Sequence, residues 1–253
     1  MFLFEIVSTS NGLKTEINRR MRLYSSHMQR TILFFLCLLV FSAVPALGQS
    51  EADQYFSRAA ERAESGDLDG AIADYTKVIE LNPRDIDAYN NRGNVRKNKG
   101  DYKGAIEDFT TAIEFAPGRA ALYLNRGVVK MRMNDPHGAI ADYTRAIQKD
   151  PKNASAYYNR GNARHALGDL QEAYDDLSRV IELNPDHGRA YANRGKVKMD
   201  MKSYKTALED LNLAIASNSK IAEFFRLRAK AHRALGDPKL ALEDEKAADL
   251  LGN

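Results

Sequence analysis

The chain of 253 residues carries one cysteine and no tryptophan. A single cysteine excludes an internal disulfide and any zinc site built on thiolates. Long apolar runs are missing too. The richest, Ile32 to Phe41, has ten residues, short of the roughly 18–20 that span a bilayer. Nor is there an excess of one charge. Lys and Arg number 37 against 34 Asp and Glu, a formal +3, which gives no basis for a broad basic surface and points away from nucleic acid. A hydrophobic share of 44% with 28% charged residues excludes a wholly disordered chain.

Catalytic signatures are equally scarce. His137, His165, His187 and His232 stand after the apolar run, none at i,i+4 to another and none in a His-Glu-x-x-His arrangement. No Gly-x-Ser-x-Gly elbow, phosphate-binding loop or Gly-x-Gly-x-x-Gly occurs. Asp67-Leu68-Asp69-Gly70 lacks the remaining ligands of a calcium loop. The expectation is a non-enzymatic protein without cofactor or metal.

What is present begins with a leader. Arg30 precedes the apolar run, Pro45 breaks it, and Ala46-Leu47-Gly48 gives small residues at a cleavage position before Gln49. Basic flank, short apolar core and small-residue exit together predict a secretory signal peptide over 28–48, hence export to a periplasm or the outside. An uncleaved N-terminal anchor is the alternative and the only membrane contact foreseen. About thirty residues precede the apolar core, more than a signal's basic region needs. Residues 1–27 therefore read as a misassigned start or a flexible extension, with Met28 the natural beginning. Cys37 follows Leu36, not a small residue, which argues against a lipid anchor there. The leader holds Lys14, Arg19, Arg20, Arg22 and Arg30 against Glu5 and Glu16. The whole surplus of charge thus resides in it, and residues 49–253 are balanced.

Those remaining residues repeat. Tyr89-Asn90-Asn91-Arg92-Gly93 returns as Tyr123-Leu124-Asn125-Arg126-Gly127, Tyr157-Tyr158-Asn159-Arg160-Gly161 and Tyr191-Ala192-Asn193-Arg194-Gly195, each 34 residues on. Tyr55 with Arg58 and Phe225 with Arg228 extend the phase in both directions. Six copies start near 52, 86, 120, 154, 188 and 222. Each reads as two helices. The first ends at Gly66, Gly100, Asn134, Gly168, Lys202 or Gly236, mostly residues suited to a left-handed helix end. An N-cap candidate follows at once: Asp67, Asp101, Asp135, Asp169, Ser203 or Asp237. Ala71, Ala105, Ala139, Ala173, Ala207 and Ala241 face small residues of the first helix, which lets two axes approach closely.

This pattern resembles the tetratricopeptide repeat, as in Tyr89-x2-Arg92-Gly93, then Ala105-x3-Phe109, then Pro117. The resemblance covers about four fifths of the chain. It implies an all-α solenoid, a right-handed superhelix of antiparallel helix pairs whose first helices line a concave groove. The chain departs from the family where the signature leucine stands. That residue is Arg58, Arg92, Arg126, Arg160, Arg194 or Arg228, and another base follows four residues later. Like charges at that spacing repel on an isolated helix. Asp74, Asp108, Asp142, Asp176, Asp210 and Asp244 recur on the second helix and predict an ion-pair ladder between helices. In the last copy Glu245 replaces the aromatic or leucine of the other five, as suits a terminal cap.

The residue before each arginine lies in the groove of family members that hold extended peptides. Here it is Asn91, Asn125, Asn159 or Asn193. An amide donates and accepts at once, so such a row can grip a peptide backbone, or bond between repeats instead. Asn94, Asn162, Tyr158 and Leu124 lie nearby, and Arg226 and Lys230 make the last copies mildly basic. The reading is an exported scaffold that binds a peptide or protein partner. An envelope-assembly or pilus-biogenesis factor, or an accessory subunit of an envelope enzyme, are the alternatives.

Overall fold

The computed structural model of the protein describes residues 50–252. The signal and extension expected before Gln49 lie outside them. Among the described residues twelve α-helices follow one another without a strand, and none is long and apolar enough to cross a membrane. The first helices of the six repeats are α1 (Glu51–Ser65), α3 (Ile86–Lys99), α5 (Ala120–Arg132), α7 (Ala154–Leu167), α9 (Gly188–Asp200) and α11 (Ala222–Ala234). The second helices are α2 (Leu68–Leu81), α4 (Tyr102–Phe115), α6 (Pro136–Lys149), α8 (Leu170–Leu183), α10 (Tyr204–Ser217) and α12 (Pro238–Gly252). The fold is the tetratricopeptide solenoid.

Each first helix ends in a left-handed residue. The four glycines take φ of 86–90°, while Asn134 and Lys202 adopt 59° and 62°. The next amide then closes the helix, as Asp101 N–H does on the Arg96 carbonyl at 2.9 Å. Capping of the second helices is uneven. Asp67, Asp101 and Asp135 accept from the amides of Gly70, Gly104 and Gly138. Asp169 and Ser203 occupy the same place without a side-chain bond. The three acids that cap each stand three residues before a glycine, and a β-carbon on Gly104 would lie 2.3 Å from the Asp101 carboxylate. Asp85 and Asn153 cap first helices by accepting from the amides of Ala88 and Ala156.

Within each pair the repeating alanines are fully buried, and the small residues opposite admit a large side chain. A β-carbon on Gly127 would meet the Tyr143 ring at 2.6 Å, and one on Gly93 the Phe109 ring at 2.9 Å. Burying each such ring contributes about 2–3 kcal/mol. Every second helix packs on its own first helix and, in the first five repeats, on the next repeat's first helix. Successive first helices also approach one another more than successive second helices do. The first helices therefore form the crowded inner side of the array, and their outward residues define its inner face.

Candidate functional site

The arginines of that inner row are each tied to the second helix of their own repeat. Arg126 donates from Nε to Asp142 Oδ2 at 2.9 Å and from Nη2 to Oδ1 at 2.7 Å. Arg92 and Asp108, Arg160 and Asp176, Arg194 and Asp210, and Arg228 and Asp244 repeat the forked contact at 2.6–3.3 Å. Arg58 and Asp74 do so at 2.5–2.7 Å. The aspartates are all buried, between 2% and 5% exposed, so the pairs of the second to fifth repeats, whose arginines are also largely covered, are costly to break, while Arg58 of the first is half exposed.

The second base of each helix turn lands on the same carboxylate. Arg62, Arg96, Lys130, Arg164 and Lys198 reach their aspartates at 2.6–2.9 Å. One buried anion thus sits between two cations, which offsets part of the repulsion along the first helix. In the last repeat His232 takes that place. Its Nε2 stays 3.9 Å from Asp244, and its buried Nδ1 has no partner among the described residues.

Two further contacts of the arginines escape a reading of charges alone. The remaining guanidinium nitrogen reaches back to the preceding repeat: Arg92 to Thr76, Arg126 to Thr110, Arg160 to Thr144, Arg194 to Ser178 and Arg228 to Asn212, at 2.7–3.1 Å. The acceptors keep the 34-residue phase, two places after each aspartate, and that phase was the available signal. Each guanidinium also lies 4.9–5.9 Å from the centre of an aromatic ring three residues earlier on its helix, from Tyr55 to Phe225.

The four asparagines do not behave alike. Asn91 accepts from its neighbour Asn90 at 3.2 Å, a bond within its own helix. Asn125 donates to Asn90 of the preceding repeat at 3.0 Å, and its carbonyl meets no donor among the described residues. Asn193 donates to Tyr158 at 3.0 Å and to Asn162 at 2.7 Å, again with a carbonyl that meets no donor among the described residues. Asn159 makes no side-chain hydrogen bond with the described residues, and it is partly exposed. The row is thus a mixture of one structural amide, two that join repeats and keep an acceptor, and one that is open.

Neighbouring positions differ as well. Leu124 packs partly into the core, against Tyr143 and Ala163. Asn94 donates to the Asn90 carbonyl at 3.0 Å and accepts from Lys97 at 2.9 Å. At the C-terminal end Arg226 and Lys230 line a cleft of about 330 Å³ with Arg233, Glu245 and Asp249. Arg233 pairs with Glu245 at 2.7 Å, so the glutamate that replaces an apolar anchor is neutralised there.

Comparison with known proteins agrees with this geometry. The crystal structure of YrrB, described as a TPR protein with an unusual peptide-binding site, is 26% identical with a TM-score of 0.58, covering 78% of this chain and 92% of its own. A crystal structure of MamA is also 26% identical, with a TM-score of 0.60 over 63% of this chain and 94% of its own. PilW, described as a type IV pilus biogenesis factor, shares the fold at 22% identity and a TM-score of 0.70, over 81% of this chain and 94% of its own. No curated protein sequence matches. The family model described as the ETO1 C-terminal domain matches residues 84–252, and one described as a TPR repeat matches residues 61–100. The first spans the last five helix pairs and the second falls within the first two, so the chain belongs to the tetratricopeptide-repeat family.

Proposed function

We propose that the array is a non-enzymatic interaction scaffold that holds an extended segment of a partner protein along its first helices. The observation that carries this is the open amide of Asn159, set between the partly open amides of Asn125 and Asn193 on successive inner helices. Hydrogen-bonding groups spaced one per repeat suit a peptide backbone, whose donors and acceptors recur along its length. Each such bond contributes about 0.5–1.5 kcal/mol. The likeness to YrrB, a protein described by its peptide-binding site, supports the reading. Export behind residues 28–48 is part of the proposal, with work in an envelope assembly. The likeness to PilW, a pilus biogenesis factor, favours that over an enzyme's accessory subunit.

Capture of partners from an envelope fraction tests this, with wild type beside Asn159→Ala and beside the Asn91, Asn125, Asn159 and Asn193→Ala variant. Asn159→Ala is expected to keep the melting temperature and to lose or weaken the main partner. Identical partner lists from all three proteins would remove the amide row as the site. Mass spectrometry of the mature N-terminus checks the export reading, which requires a start near Gln49.

A further inference from the structure

Between the second and third repeats, a cleft of about 520 Å³ is lined by Lys97, Asn98 and Tyr102 on one side and by Val128 and Arg132 on the other. Lys97 donates to Asn94 at 2.9 Å. Neither Lys97 nor Arg132 has an acidic partner among the described residues. Every arginine of the ladder, by contrast, is paired. Burial, and then the Arg132 charge, hold the Lys97 ammonium below the ordinary lysine range.

The repeat supplies its own control. Two periods further along the chain, the same two places are taken by His165 and Asp200, which meet at 2.6 Å. The fold therefore brings the equivalent positions of neighbouring first helices within hydrogen-bonding reach. At Lys97 and Arg132 the same juxtaposition holds two cations around a cavity. We propose that this cleft is an oxyanion receptor, and that its ligand is a carboxylate from an acidic side chain of the segment held on the inner face. Lys97 and Arg132 share the charge. Asn98 and the Tyr102 hydroxyl supply further donors from the wall of the cleft. The proposal rests on the peptide-scaffold reading. It adds that the partner segment is acidic where it crosses the second and third repeats.

Calorimetric titration of the purified chain tests it with three probes: a blocked hexapeptide of alternating Ala and Glu, its Gln analogue, and inorganic phosphate. The Glu peptide is expected to bind at least tenfold more tightly than the Gln peptide. Lys97→Met and Arg132→Met should each erase that preference. Lys97→Glu should erase it too while raising the melting temperature by about 2–4 °C, because the introduced carboxylate can then pair with Arg132 as Asp200 does with His165. Equal affinity for the two peptides, no binding of either, or a preference that survives both Met variants would overturn the receptor. Phosphate binding at Lys97 more tightly than the Glu peptide would overturn the carboxylate assignment. The scaffold reading fails separately, through unchanged capture by the asparagine variants, so the two can be told apart.

Discussion

Arg126 touches its own repeat, the one before it and an aromatic ring at once. Replacing it by leucine leaves Asp142, whose side chain is 4% exposed, with Lys130 alone, and leaves Thr110 without its donor. Arg126→Leu is expected to cost about 3 kcal/mol, the lower end for a broken buried pair because Lys130 remains. Thr110→Val, which removes only the backward link, should cost about 1 kcal/mol. Urea denaturation measures both, and a neutral Arg126→Leu would show that the pair is wet. The arginines and aspartates could be read from the sequence because charge recurring at one phase demands a counter-charge. Thr76 and its equivalents could not, since a hydroxyl on a helix is ordinary until the neighbouring repeat is placed beside it. Asn91 and Asn159 look the same in sequence. They separate only because Asn90 claims the first and, among the described residues, no side chain claims the second.

Helix pairs are set by how close two axes come, and Gly127 shows the limit. An added methyl there meets an aromatic ring at 2.6 Å, whereas at Gly161 it meets the flexible Leu177 at 3.1 Å. Overpacking costs about 1–3 kcal/mol, against a gain of about 1 kcal/mol for alanine over glycine in a helix. Gly127→Ala should therefore destabilise by about 1 kcal/mol, and Gly161→Ala should be neutral or mildly stabilising. Equal effects in chemical denaturation would mean that the ring in the third repeat moves aside freely. Helix ends were legible from the recurring glycine and acid. Which acids cap was not, because Asp101 and Asp169 stand at the same phase and differ only in the side-chain geometry each adopts.

Across the whole array six buried carboxylates hold the helix pairs, and the first of them, Asp74, makes the fold sensitive to acid. The forked bond from Arg58, with the Arg58 and Arg62 charges, holds the Asp74 carboxyl below the ordinary aspartate range, against the upward push of burial. A group whose folded value is depressed contributes its stability above the unfolded value and loses it as pH falls through the folded one. Helicity followed by circular dichroism should thus be level from pH 7 to about 5 and fall below about pH 4. Asp74→Asn should flatten part of that slope, and a chain equally stable at pH 5 and pH 2 would contradict the account. The architecture was readable because the 34-residue period runs unbroken. The cleft at Lys97 was not, because two bases 35 residues apart become neighbours only once the angle between repeats is known.

The backward reach of the arginines has a consequence for the number of repeats. Thr76, Thr110, Thr144, Ser178 and Asn212 all accept the same donor from the repeat that follows. A unit lost or duplicated by recombination would therefore keep the arginine ladder matched at the seam, while pairs particular to one joint, such as His165 with Asp200, would be parted. Among the described residues Arg58 reaches back to no preceding acceptor and is half exposed, and Glu245 of the sixth repeat pairs with Arg233.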